Sequence, residues 1–315
     1  MIEIEKRAIL IIPYFGKWPP YFHLFLKGCT NNKWLQILFI TDCEIIDPKI
    51  SNVKFIPFSS KELDELIADK LSIENYKLRF PYKLCDLKPA YGHIFAHYIK
   101  DFEYWAYGDI DLIYGNLGKY VLPKMDAGYD IISAREEIVS GSFTLVKNTN
   151  YNNTLYNKLE NFTSLINTLR CEGIDETSHN ETIWEGLNKL HLPKSSFTYL
   201  VAKECNENKI KASFETFICE NLSGKDKIEY NLESLTVNST EIGYFHYVMN
   251  KRKPYFTYPK WEKIPSNFFI TDTGFYKNRI EVLLFNKPKL LALSFLYYTR
   301  KLPKYIARKL KIQYT

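Results

Sequence analysis

Apolar residues fall in unbroken runs along the first half of the chain, with helically spaced stripes between them. Ala8-Ile9-Leu10-Ile11-Ile12 is one run, stopped by Pro13, and Leu35 to Ile40 and Val53 to Ile56 are two more. Runs of this length without alternation read as strands buried on both faces, as in parallel sheets. Tyr14-Phe15-Gly16-Lys17-Trp18-Pro19-Pro20 reads as a loop, followed by a short helix over 21–29. Ser59 and Glu62 have capping-box spacing ahead of Leu63, Leu66, Ile67 and Leu71, which predicts a helix. A helix is also predicted over 82–99, kinked or broken at Pro89. A strand should cover Tyr104 to Asp111, with short strands over 130–133 and 143–146 and helices over 151–169 and 183–190. Residues 200–240 are polar and show no usable period.

Strands alternating with helices over the first 150 residues predict an α/β fold. Its sheet should be mixed, mostly parallel and flanked by helices. The chain divides on this reading into a domain over 1–256 and an extension over 257–315 that ends in a basic helical tail. At 315 residues there is enough chain for a sizeable core.

Charge changes the picture in one place. Of the net charge of +6, the eight Lys and Arg from Lys287 to Thr315 account for more than the whole, since no acid accompanies them. The body is left near −2, which argues against nucleic acid as the main partner. Leu290 to Tyr298 is apolar but too short to span a bilayer, and basic residues follow it. It reads as an interfacial helix on anionic lipid, or as a helix packed on the body with a solvated basic face. Six scattered cysteines without a CxxC pair indicate reduced thiols, and Met1 to Arg7 has no signal-peptide core. Both point to a cytoplasmic protein. An aromatic content of 16% suits stacking on sugar or base rings, although core packing uses the same residues.

The chemistry centres on Tyr104-Trp105-Ala106-Tyr107-Gly108-Asp109-Ile110-Asp111. On a strand, Asp109 and Asp111 point the same way and Ile110 faces the core. Two adjacent carboxylates repel, and a divalent cation relieves that; an oxygen-only pair suits Mg²⁺ or Mn²⁺. Gly108 leaves room for a ligand to approach the backbone. By itself an Asp-x-Asp triplet is more often a surface turn, but the carboxyl ends of strands are where open α/β sheets hold ligands. Asp42, after the second run, suits a base or ribose equally as it suits a turn. Lys83 and Asp86, with Lys88 near, put mixed charges on one helix face, as a solvated ion pair also would. Asp175-Glu176 lies in a loop, either solvated or placed as a general base. A lone His such as His246 on an apolar strand is more often a core residue than a ligand, but Lys251, Arg252 and Lys253 follow closely, as a diphosphate site would want.

Together these segments resemble a family of bacterial GT-A-fold glycosyltransferases of polysaccharide gene clusters. The likeness runs in order through 11–22, 39–42, 81–92, 104–116, 141–148, 175–176 and 245–256. It implies a Rossmann-like nucleotide-diphospho-sugar transferase fold and a set of roles. Asp109 touches the ribose and metal, Asp111 chelates the metal and His246 completes the protein ligands. Lys251 or Lys253 holds the diphosphate. Pro13, Tyr14 and Asp42 contact the nucleotide, and Lys83 and Asp86 the nucleotide or donor sugar. Ser140 to Thr144 and the carboxylates of Asp175 and Glu176 face the sugars, with Asp175, Glu176 and Asp111 carrying the chemistry. Ser142 stands where the resemblance leads one to expect His.

The expected function is Mn²⁺- or Mg²⁺-dependent transfer of a hexose from a nucleotide sugar, UDP-linked and by preference galactose, to a lipid-carried glycan acceptor at the inner membrane face. One rival is a nucleotidyltransferase on the same sheet, which would want a Gly-rich basic loop; Pro13-Tyr14-Phe15-Gly16 is a poor one. The other is a membrane-attached, non-catalytic glycan-binding protein.

Overall fold

Seven strands form the main sheet of a computed structural model that describes residues 7–47, 49–178, 183–184, 190–232, 234–289, 291–292, 295 and 299. The chain forms two compact units. One is the chain up to Ile110 together with Leu117–Ile218; the other is Asp111–Asn116 with the chain from Cys219 onward.

In the first unit, β1 (Ala8–Tyr14), β2 (Leu35–Thr41) and β3 (Val53–Pro57) are parallel neighbours, and β4 (Tyr104–Gly108) runs parallel on the other side of β1. The chain then contributes β5 (Leu112–Tyr114) to the second unit before β6 (Ile131–Ser133) and β7 (Phe143–Lys147) return to the first. β7 lies antiparallel between β4 and β6. β8 (Ile183–Trp184) and β9 (Leu190–His191) pair antiparallel apart from the sheet, and β10 (Ala212–Phe214) closes its edge parallel to β6. Four of the six pairings are parallel, which is the mixed, mostly parallel sheet expected.

β1 runs through Pro13 instead of stopping at it. Its pairing with β4 ends at Ile11 opposite Tyr107, while pairing with β2 continues to Tyr14 opposite Thr41. Pro13 therefore sits where one side of the strand needs no donor, the position a strand proline tolerates. The predicted capping box is present: Glu62 N donates to Ser59 Oγ at 3.2 Å and Ser59 N to Glu62 Oε2 at 2.7 Å. It starts α2 (Ser60–Leu71), while α1 (Phe22–Cys29) follows the first loop.

Three predicted helices are not single helices, and the one over 82–99 breaks at Pro89, as expected, and at further points. The segment 82–99 is a chain of single turns: α3 (Leu84–Leu87), α4 (Tyr91–Ile94) and α5 (Ala96–Ile99), with 3₁₀ turns at Pro81–Lys83 and Lys88–Ala90. α6 (Gly118–Asp126) precedes β6. The segment 151–169 breaks into α7 (Asn150–Asn153), a 3₁₀ turn over Leu155–Lys158 and α8 (Phe162–Ile166), with Asn161 left-handed at φ 57° ahead of α8. Asn and Thr side chains here bond the local backbone, which competes with a longer helix. The predicted helix over 183–190 is replaced by β8 and β9, and 185–189 lie outside the described residues. α9 (Phe197–Asn206) follows, capped by Ser196, whose hydroxyl accepts from Tyr199 N. Ile9, Ile11, Leu38, Ile40, Leu63, Leu87, Tyr91, Trp105, Tyr107, Val146, Ile174 and Val201 are all buried in this unit's core.

Short β11 (Ile218–Cys219) leads into the second unit. There β12 (Ile228–Tyr230), β13 (Leu235–Val237), β14 (Thr240–Glu241), β16 (Phe268–Thr271) and β17 (Gly274–Tyr276) form an antiparallel sheet, and β15 (Tyr244–His246) pairs antiparallel with β5. Tyr230, Tyr247, Phe256, Tyr258, Phe268 and Phe275 build an aromatic core there. β12 pairs with β16, so a boundary after residue 256 falls inside this unit instead of ending a domain. A helix over 279–289 follows. Among the described residues no helix is long and apolar enough to cross a membrane.

Candidate active site

β4 ends at Gly108, so Asp109 and Asp111 lie beyond the strand in the bend that follows, not on it as expected. The reason for Gly108 also differs: a Cβ there would lie 2.7 Å from the Ser142 carbonyl oxygen. It is the neighbouring strand, not a ligand, that approaches the backbone. Asp109 N donates to the same oxygen at 3.0 Å, extending the ladder by one residue.

In the first unit the Asp109 side chain meets Lys88. The turn at Lys88–Ala90 buries this lysine, whose ammonium donates to Asp109 Oδ1 at 2.8 Å and to the Gly141 carbonyl at 2.8 Å. Asp175 Oδ2 lies 3.2 Å from the same ammonium. Burial alone would discharge Lys88, but Asp109 and Asp175 hold its pKa well above the usual value. Burial pushes the Asp175 carboxyl up to about 7; Lys88 opposes the shift, and Glu176 and Asp109 reinforce it. Near neutral pH this carboxyl is thus poised to take or give a proton. Glu176 Oε1 accepts from Gly141 N at 2.8 Å. Gly141 leaves these carboxylates in place, because a Cβ there would stand 2.5 Å from Asp175 Oδ2 and 3.0 Å from Glu176 Cγ and would push them aside.

The loop carrying these carboxylates is fastened from both sides. Asp86 accepts from Glu172 N at 2.9 Å, Gly173 N at 2.8 Å and Ile174 N at 3.1 Å. Thr198 Oγ1 donates to the Glu176 carbonyl at 2.6 Å. Lys83 and Asp86, expected at the nucleotide or donor sugar, are fully buried and pair with each other at 2.8 Å. Lys83 also donates to Leu165 O, Thr168 Oγ1 and Arg170 O. That correction has a simple cause: the pair is consumed inside the protein, holding 165–174 in place. Ser140, Ser142 and Thr144 are buried too, with Ser140 Oγ 3.0 Å from Ser142 Oγ.

Asp42 ties the ends of two strands together by accepting from Gly16 N at 2.6 Å. Gly16 has φ 107°, a conformation few other residues adopt. Trp18 stacks between Tyr14 (5.1 Å) and Phe22 (4.0 Å) in the same loop. Tyr14, Pro13 and Asp42 are therefore drawn together at the carboxyl ends of β1 and β2.

The second unit has its own cluster. Tyr247 N donates to the Asp111 carbonyl at 3.2 Å, prolonging the β5–β15 pairing and bringing His246 beside Asp111. His246 Nε2 lies 3.5 Å from Asp111 Oδ2, and Lys251 Nζ lies 2.5 Å from the same oxygen. On its other side His246 Nδ1 meets Glu220 Oε1 at 2.8 Å. Burial alone would raise the Asp111 carboxyl, but His246 and Lys251 hold it well below the carboxylate range. Lys253 differs from Lys251: it donates to the Leu222 carbonyl at 2.9 Å. Of the two lysines, only Lys251 faces Asp111.

The carboxylate oxygen suits Mn²⁺ or Mg²⁺, and the imidazole nitrogen beside it favours the softer Mn²⁺ of the two. Two atoms each bound to one such ion sit about 3 Å apart or slightly more, given bonds near 2.1 Å. Asp111 and His246 meet that spacing, and Glu220 supplies the outer carboxylate that fixes a ligating imidazole.

Sequence reasoning noted Lys88 only as a charge near Lys83 and Asp86, and it missed Glu220. Lys88 had a signal, a lone cation among Leu84, Leu87, Ala90 and Tyr91, all buried. Glu220 had none, since it falls in the unpatterned stretch over 200–240.

The profile of a family of unknown function, DUF6625, matches residues 10–279. The chain belongs to that family. No curated protein matches this DUF6625 chain. Among solved structures it is similar to the galactosyltransferase LgtC in complex with donor and acceptor sugar analogues, at 11% identity and a TM-score of 0.30. That likeness covers 50% of this chain and 64% of LgtC, so the chain spans less than two thirds of it. Mouse xyloside xylosyltransferase 1 in its apo form is similar at 11% identity and TM-score 0.34, over 70% of this chain and 89% of its own. The glycosyltransferase GlyE of Streptococcus pneumoniae TIGR4 is similar at 15% identity and TM-score 0.31, over 66% of this chain and 45% of its own.

Proposed function

We propose that this protein is a metal-dependent glycosyltransferase. It moves a hexose from a nucleotide sugar, UDP-linked and by preference galactose, to a lipid-carried glycan acceptor in bacterial surface-polysaccharide assembly, at the cytoplasmic face of the plasma membrane. The reading rests on one observation above the rest: His246 and Lys251 converge on the buried Asp111 carboxylate.

Asp111 and His246 hold Mn²⁺ or Mg²⁺, with Asp109, two residues before Asp111 in the chain, as the further ligand. The bound ion supplies Lewis-acid neutralisation of the departing diphosphate. Glu220 orients His246 toward that position. Lys251 gives a second positive charge to the diphosphate. Pro13, Tyr14 and Asp42 form the nucleotide end of the site, in keeping with their place at the strand ends. Asp175 takes the proton of the acceptor hydroxyl, for which a pKa of about 7 suits a base at neutral pH. Lys88 positions Asp175, and Glu176 fixes the Gly141 backbone beside it.

The test is calorimetric titration of UDP with Mn²⁺, then with EDTA, on wild type and Asp111→Ala. Binding that needs both the metal and Asp111 supports the reading. UDP binding indifferent to both removes the metal site from it.

A further inference from the structure

The helix over 279–289 is amphipathic in the wrong direction for a helix that packs on a protein core. Its inward face is mostly polar, with Asn286 and Lys289 beside Val282. Asn286 Oδ1 accepts from Thr271 Oγ1 at 2.9 Å and Thr273 Oγ1 at 2.6 Å, and Lys289 Nζ donates to the Thr273 carbonyl at 2.8 Å and to Thr257 Oγ1. Its outward face is apolar. Ile280 is 67% exposed, Leu283 79% and Leu284 59%, and the helical residues Leu291 and Phe295 are 71% and 70% exposed. At 100° per residue, positions 280, 283, 284, 287, 291 and 295 fall on one stripe, opposite Val282, Asn286 and Lys289. An exposed contiguous apolar face of this kind marks an interaction surface.

Charge selects the occupant. The exposed Lys287 sits within the stripe and Lys277 lies at its start, next to Arg279, whose guanidinium pairs with Glu229 at 3.3 Å. Glu281 is the only acid in the helix, and it caps the first turn by accepting from Lys277 N at 2.7 Å. From residue 290 onward the sequence adds six cations and no acid. A second copy of this face would set Lys287 and its basic flank against their own kind. An anionic bilayer meets both demands, with acyl chains for the stripe and headgroup phosphates for the cations.

We propose that this helix docks the protein on an anionic lipid surface, beginning ten residues earlier than the apolar segment at Leu290. It extends the proposed lipid-carried acceptor and rests on that reading only for its purpose. The test is flotation of the full chain with vesicles of phosphatidylcholine alone and of phosphatidylcholine with phosphatidylglycerol. The variants are Leu283→Asp with Leu284→Asp, and Lys287→Glu; both sites are exposed. Wild type should float with the anionic vesicles and not the neutral ones. The double variant should lose flotation about tenfold or more and Lys287→Glu severalfold, with Mn²⁺-dependent UDP binding unchanged. Wild type that stays at the bottom of the gradient overturns the proposal, as does a double variant that floats like wild type. A wild-type dimer that the double variant dissociates, without flotation, assigns the face to self-association instead. Flotation without any UDP binding would leave the docking face standing and remove the transferase reading.

Discussion

Glu220 Oε1 lies 2.8 Å from His246 Nδ1, while Nε2 of the same ring lies 3.5 Å from Asp111 Oδ2. With Nδ1 donating to Glu220, loss of the Nε2 proton that otherwise faces Asp111 would leave a lone pair aimed at the place an ion would take beside that carboxylate. Glu220→Ala should therefore weaken Mn²⁺ binding about 10–100-fold, the usual effect of losing such a carboxylate. Glu220→Gln retains an acceptor oxygen and should recover most of the affinity. Manganese titration followed by spin resonance measures both, independently of turnover. Equal affinity in wild type and Glu220→Ala would show that the ring needs no such support.

Asp175 predicts a pH profile. If it acts as the base, kcat/KM should fall about tenfold per unit below pH 7 and level off above it, and Asp175→Asn should lose about 10²–10⁴-fold. Stability runs the other way. The folded carboxyl keeps its proton to about 7 while the unfolded one loses it near 3.8, so the folded state binds more protons between those values. Stability contributed by this group is present below pH 4 and lost as pH rises to 7. Asp175→Asn should accordingly gain melting temperature relative to wild type at pH 8 but not at pH 4.

Lys83→Ala separates the buried pair from a ligand contact. It strands Asp86 without its cation in the interior, which should cost about 3–5 kcal/mol. Denaturant unfolding reads that loss. A variant with wild-type stability and weakened UDP affinity would return Lys83 to the ligand site.

Two glycines should respond differently. Gly108→Ala drives a Cβ against the Ser142 carbonyl, a backbone atom that cannot swing away, and should cost about 1–3 kcal/mol of stability. Gly141→Ala meets the side chains of Asp175 and Glu176, which can move. Its loss should appear mainly in turnover, with a smaller fall in melting temperature. Thermal scans and rates on the two variants check the contrast.

The main sheet was legible because buried parallel strands are written as unbroken apolar runs, and α2 because Ser59 and Glu62 cap it reciprocally. The Asp-x-Asp element, His246 and Lys251 were legible as residue types, but their geometry was not. Asp109 and Asp111 belong to a bend, and only the β5–β15 pairing brings His246 to Asp111. The stretch over 200–240 was opaque because its strands are two or three residues long, too short for any period to accumulate. Lys83 and Asp86 were misread because spacing reports which face two charges share, not whether solvent reaches it. The outward apolar face of the helix over 279–289 was hidden for the same reason.

Asp86 gathers three successive amide protons, from Glu172, Gly173 and Ile174. Asp175 and Glu176 follow directly, so the carboxylates leave an anchor point that is already set. A loop held in this way has little disorder left to surrender when a substrate arrives. Association should then show only a small conformational penalty in its entropy, and loosening the anchor at Asp86 should make the same encounter entropically expensive long before it unfolds the protein.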